Sequence, residues 1–135
     1  MFKVYKRDLA DVEPTEYLPA AEGAALAAGV MAVLSGGGLT KAAAAEKPGF
    51  LVLGGARADG LYPAMRVQPT TVFETVSAAA VAETAVGTGL ALAADAASVD
   101  AAASGAFVVE RTENKAGGRV FGRFDGTAQP AKADA

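Results

Sequence analysis

Large apolar residues in this chain arrive in runs of four or five that glycine or proline closes off, a spacing that suits short strands and tight turns. Val30-Met31-Ala32-Val33-Leu34 leads into Ser35-Gly36-Gly37-Gly38 and then Leu39-Thr40-Lys41-Ala42, two strands around a glycine turn. Glycine supplies the positive φ that such a turn requires. After Lys47-Pro48-Gly49, Phe50-Leu51-Val52-Leu53 is apolar without alternation and ends at Gly54-Gly55, the pattern of a strand buried on both faces. Leu61 to Gln68 and Thr71 to Ser77 read as two further strands parted by Pro69. Gly89–Leu92 with Ala97–Asp100 forms another hairpin, Gly105–Arg111 a strand, Lys115-Ala116-Gly117-Gly118 a turn, and Arg119–Phe124 the last strand. Alanine's helix propensity predicts at most a turn or two of helix at Ala20–Gly29 and Ala78–Ala85.

At 135 residues the chain makes one domain. The expected fold is mostly β, a small single-domain β-barrel or β-sandwich-like structure with an extended N-terminal arm and little helix. Residues 1–19 form the arm, because Phe2-Lys3-Val4-Tyr5-Lys6 alternates like a half-buried strand and then runs into an acidic stretch broken by Pro14 and Pro19. Residues 20–124 form the β domain, and the small, polar residues 125–135 a disordered tail. Gly29, hairpin, Phe50-Leu51-Val52 is echoed in order and spacing by Gly87, hairpin, Phe107-Val108-Val109. The echo suggests two similar halves, and the plain recurrence of hairpins in a small β protein explains it equally well.

Hydrophobic residues make up 52% of the chain, but much of that is alanine, which buries little area. So modest a core gains from self-association or from docking on a partner. The chain has neither cysteine nor histidine, which excludes disulfides, thiolate zinc sites, cysteine nucleophiles and histidine bases. A net charge of −3 and a pI near 4.9 speak against nucleic acid. Residues 24–34 are too short to span a bilayer, which takes about 20 apolar residues, and no export signal is read at the N-terminus, so the expected site of synthesis is the cytoplasm.

The Gly36-Gly37-Gly38 run lacks the strand-loop-helix setting and the Gly-Lys-Ser/Thr ending of a phosphate loop. Asp95, Asp100, Glu110 and Glu113 lack calcium-loop spacing. No catalytic, cofactor-binding or metal-binding residue is assigned. Arg66 and Glu74, on strands joined around Pro69, are expected to form a structural or subunit ion pair, because a half-buried acid needs a partner. Phe2, Tyr5, Tyr17, Leu18 and Pro19 are the expected partner-binding residues, large side chains on an arm with little local core to cover them; an arm that folds back over its own sheet is the alternative.

The order of Glu16-Tyr17-Leu18-Pro19-Ala20, Gly29, Leu34 to Lys41, Lys47-Pro48 before Phe50, Pro63 to Val67, Phe73-Glu74-Thr75, Val86-Gly87, Gly105 to Val109 and Arg119 to Phe124 resembles the capsid decoration, or cement, proteins of tailed bacteriophages. The resemblance implies a non-enzymatic homotrimer on the capsid exterior of the virion that ties neighbouring major capsid protein subunits together. A phage or bacterial β adaptor, such as a head-fibre base or a carbohydrate-binding domain, is the alternative, although the latter normally displays a row of aromatics and this chain has no tryptophan and three tyrosines.

Overall fold

The computed structural model describes residues 1–7 and 14–124; the expected tail over 125–135 lies outside them. Among the described residues eleven strands follow one another: β1 (Lys3–Lys6), β2 (Glu16–Pro19), β3 (Met31–Ser35), β4 (Gly38–Lys41), β5 (Phe50–Val52), β6 (Leu61–Arg66), β7 (Val72–Val76), β8 (Gly89–Leu92), β9 (Val99–Ser104), β10 (Phe107–Thr112) and β11 (Arg119–Phe124). A single 3₁₀ turn, Glu83–Ala85, is what the second alanine-rich segment yields. The first, Ala20–Gly29, contains turns and no helix, since Gly23 and Gly29 both adopt positive φ there.

The strands form two antiparallel sheets, in the order β1-β7-β11-β10-β8-β9 (sheet A) and β2-β6-β5-β3-β4 (sheet B). This is the mostly β, sandwich-like architecture expected, without a closed barrel. Set β1 aside and the two sheets have the same topology: in each half the strands run first, fifth, fourth, second, third. The local bonds repeat as well. Gly29 and Gly87 both sit at φ +87°, and their N–H groups donate to Val52 O (2.8 Å) and Val109 O (2.7 Å). Val52 N–H returns to Val30 O at 2.9 Å, and Val109 N–H to Thr88 O at 3.0 Å. Each half curls in the same way, Ala20 making a parallel bridge to Leu39 and Ser77 to Val99. The echo of Gly29 in Gly87 is therefore a structural repeat. Both glycines hold a left-handed turn that a residue with a Cβ adopts only with strain.

The core lies mainly between the sheets. Phe2, Phe73, Phe107 and Phe124 are each at most 1% exposed, with Phe124 touching the other three rings at centroid distances of 5.2–5.8 Å. Tilted and edge-on pairs of this kind add to the area term. A second cluster, Ala32, Leu39, Phe50, Val52 and Ala64, lies on sheet B with Leu18, Leu26 and Tyr62 packed against it. Strand β5 is buried throughout because Leu51 faces one cluster while Phe50 and Val52 face the other.

Gly122 shows how tightly the second half is packed: a Cβ there meets Val108 O and lies 2.9 Å from the Phe107 ring. Its counterpart in the first half, by strand register, is Ala64. Gly122→Ala is expected to destabilise the fold by roughly 1–3 kcal/mol, the usual cost of overpacking. Chemical denaturation of the variant measures this, and an unchanged midpoint means the Phe107 ring moves aside freely.

Candidate functional site

The outer face of sheet A gathers the side chains that are neither core nor plain solvent surface. Strand register aligns Lys3 on β1 with Glu74 on β7, Glu74 with Phe121 on β11, and Phe121 with Arg111 on β10. Phe121 points away from the core, yet is only 2% exposed, because polar-tipped neighbours cover it. Tyr5 meets its ring at 4.7 Å, and the Arg111 and Arg119 guanidinium carbons lie 4.6 and 5.5 Å from its centroid. Cations over an aromatic face are attracted by its quadrupole, and stacking restricts their side chains before any partner arrives.

Charges on this face are tied together. Glu74, whose side chain is 14% exposed, lies 3.3 Å from Lys3 Nζ and 4.0 Å from Arg119. Glu113 accepts from the Arg119 backbone N–H at 2.7 Å and from its guanidinium at 3.0 Å, and Arg123 pairs with Glu110. Even so, basic residues prevail. Strands β1, β7 and the β10–β11 hairpin, with adjoining Arg7, carry seven of the chain's twelve basic residues and three of its fifteen acidic ones. The chain is acidic, but this face is not.

A bulge makes the cluster possible. Period two puts Arg111 on the same face as Val109, which is buried. The register slips between Val109 and Arg111, so Glu110 is the extra residue and Arg111 turns outward opposite Phe121.

Comparison with family models, curated proteins and solved structures finds no match.

The structure distributes the residues singled out in the sequence over three places, and the described parts of the expected arm, residues 1–7 and 14–19, carry strands of the two sheets. Phe2 is core, 1% exposed, with its N–H donating to Gly29 O at 2.9 Å. β1 is the sixth strand of sheet A, and β2 an edge of sheet B. Tyr5, 51% exposed, belongs to the outer face of sheet A. Tyr17, 44% exposed, stacks under Arg57 at 3.9 Å on the other sheet; Leu18 packs into the second cluster, and Pro19 lies exposed on β2. The expected Arg66–Glu74 pair is replaced by three others. Arg66 pairs with Glu16 at 2.6 Å, and Glu74 with Lys3 and Arg119. The turn at Pro69 is a crossover between sheets rather than a hairpin, so β6 and β7 are not neighbours.

Arg111, Arg119 and Phe121 escaped the sequence reading. The alternation Arg119-Val120-Phe121-Gly122-Arg123 carried the signal for two of them, since Arg119 and Phe121 share one face at period two. Nothing in the spacing announces the bulge that adds Arg111. Among the described residues no group of three or more acids gathers as a metal site. An open groove of about 510 Å³ is lined by Leu18, Pro19 and the Leu34–Gly38 turn, with no acid and no base.

Bonds from the Arg119 backbone N–H and guanidinium hold the Glu113 carboxyl below its ordinary value, and Arg57 does the same for Asp59. A carboxyl whose folded-state pKa is lowered stabilises the fold above its unfolded value and loses that contribution as pH falls through the folded one. The melting temperature is therefore expected to drop below about pH 4.3, the ordinary glutamate value, and to drop less steeply in Glu113→Gln. Parallel melting curves of the two proteins from pH 6 to 3 contradict the assignment.

Proposed function

We propose that this chain is a structural, non-catalytic protein that docks on an ordered protein shell, and that the shell is the head of a tailed bacteriophage, decorated from outside by homotrimers that bridge major capsid protein subunits. The observation that carries the reading is the outer face of sheet A, where tyrosine and two arginines are held over a sunken phenylalanine on a rigid sheet. Arginine and tyrosine are the residues that dominate protein interfaces, and here their side chains are ordered in advance by stacking and ion pairs. The resemblance noted in the sequence supplies the identity of the shell. Its motifs supply β2, the β3–β4 hairpin, most of β6 and β11 of the fold.

Co-sedimentation with shells of the source virus stripped of this protein tests the proposal. The expected result is saturable binding at a fixed ratio to the major capsid protein, weakening as salt is raised because the docking face is charged. Folded protein that leaves the shells in the supernatant refutes the shell reading and turns attention to the adaptor function.

A further inference from the structure

The internal repeat leaves one position that is filled in sheet A and, among the described residues, open in sheet B. In sheet A, β7 carries β11 on one side and β1 on the other, where Lys3, Val4 and Lys6 align with Glu74, Phe73 and Val72. The counterpart of β7 is β2, and by register Thr15, Glu16 and Tyr17 correspond to Val72, Phe73 and Glu74. No described residue pairs with this stretch on the side away from β6. Further along, Ala20 bridges Leu39 as Ser77 bridges Val99, so the sheets curl shut at one end and diverge at the other. β1 fills the divergent mouth of sheet A; no described residue fills its twin.

Hydrogen-bond phase says which groups face the opening. Leu53 N–H donates to Pro63 O, and Val67 N–H to Gly49 O, so the odd-numbered residues of β6 point toward β5. Tyr62 and Ala64 then bond β2 through Leu18 and Glu16. The N–H and C=O groups of Thr15 and Tyr17 are left pointing out of the sheet. Pro19, in phase with Tyr17, lacks the N–H that such a position leaves unbonded, and proline is tolerated at edges for that reason. In sheet A the same phase turns Val72 and Glu74 toward β1.

We propose that Thr15–Tyr17 is a strand acceptor that takes an extended segment of the shell subunit, antiparallel to β2, as β7 takes β1. The inference rests on the shell-docking reading above and adds the second contact, made by backbone at one sheet and by side chains at the other. Strand addition gives affinity through main-chain bonds and specificity through alternate side chains. Lys3 in β1 pairs with Glu74, whereas the open position faces Tyr17, whose ring is already stacked under Arg57. An aliphatic or β-branched residue therefore belongs opposite Tyr17 in the incoming segment.

Amide hydrogen exchange over residues 14–18, read by mass spectrometry on the free full-length chain and on the chain bound to stripped shells, tests this directly. The expected result is rapid exchange of the Thr15 and Tyr17 amides in the free chain and strong slowing on shells. Tyr17→Pro removes the outward donor without touching a β2–β6 bond, and is expected to weaken shell binding by about tenfold or more while Tyr17→Phe binds normally. Protection already present in the dilute free chain overturns the proposal, because a segment of this chain then occupies the edge. Protection that appears in the free chain only as its concentration rises overturns it in favour of a second copy. Rapid exchange in shell-bound protein, or a folded Tyr17→Pro variant that binds as well as the parent, also overturns it. Failure of the parent protein to bind shells removes the docking reading and this inference together; in the last two outcomes the parent binds, so the two failures are separable. The exchange measurement needs no variant and stands even if Tyr17→Pro does not fold.

Discussion

Phe124→Ala is expected to cost about 3–5 kcal/mol, the range for removing a buried aromatic ring, and so to leave much of the chain unfolded at ordinary temperature. Phe124 is fully buried and packs against Phe2, Phe73 and Phe107, which come from before β1, from β7 and from β10, so its ring joins the N-terminus to the second half. The hole left by alanine has walls on β7, on β10 and on the segment before β1, and a close-packed core limits how far it can collapse. Denaturant unfolding followed by circular dichroism gives the number. Phe2→Ala belongs in the same experiment: an arm residue costs almost nothing when truncated, whereas the buried Phe2 should cost about 3 kcal/mol or more. Equal midpoints for Phe2→Ala and the parent protein argue that the N-terminus is an arm after all.

Reversing Arg111 and Arg119 together to glutamate is expected to weaken binding to stripped shells by about thirtyfold or more, the loss associated with interface residues worth about 2 kcal/mol. The association rate should fall along with affinity, and its salt dependence should flatten, because both arginines contribute to the basic field of this face. Arg119 also holds Glu113 and lies near Glu74, so the double change places four carboxylates around Phe121 and lowers stability as well. Arg111→Glu alone keeps those pairs and separates the two effects. A folded Arg111→Glu protein with parental affinity and parental salt dependence locates the docking face elsewhere on the molecule.

How far the sequence led depends on which interaction fixed each residue. The β3–β4 hairpin and the buried β5 were legible because their signals are local: glycines where the backbone turns left-handed, and an unbroken apolar run where both faces are covered. The echo between Gly29 and Gly87 was also visible, since each glycine answers to its own φ whatever surrounds it. The strand β2 was not legible. Glu16-Tyr17-Leu18-Pro19 contains a proline and an acid, which argue for an arm, and it is a strand because β6 offers Tyr62 and Ala64 as partners while both prolines, Pro19 and Pro63, fall at positions of the ladder that make no bond. The outer face of sheet A stayed hidden for a similar reason, as it depends on the bulge at Glu110 and on Tyr5 arriving from the far end of the chain.

By itself, then, the order of residues determined the local backbone: which segments extend, where they turn, and that a repeat of hairpin and buried strand recurs. Only the tertiary structure decided the rest. Whether Pro69 turns a hairpin or crosses between sheets, whether Phe2 is an arm or a core residue, and whether Glu74 meets Arg66 or Lys3 are all questions of which strand lies beside which. Those choices are made by pairings far apart in sequence, whose free energy comes from burying the phenylalanine cluster and completing two ladders at once. No window along the chain contains both partners of such a contact.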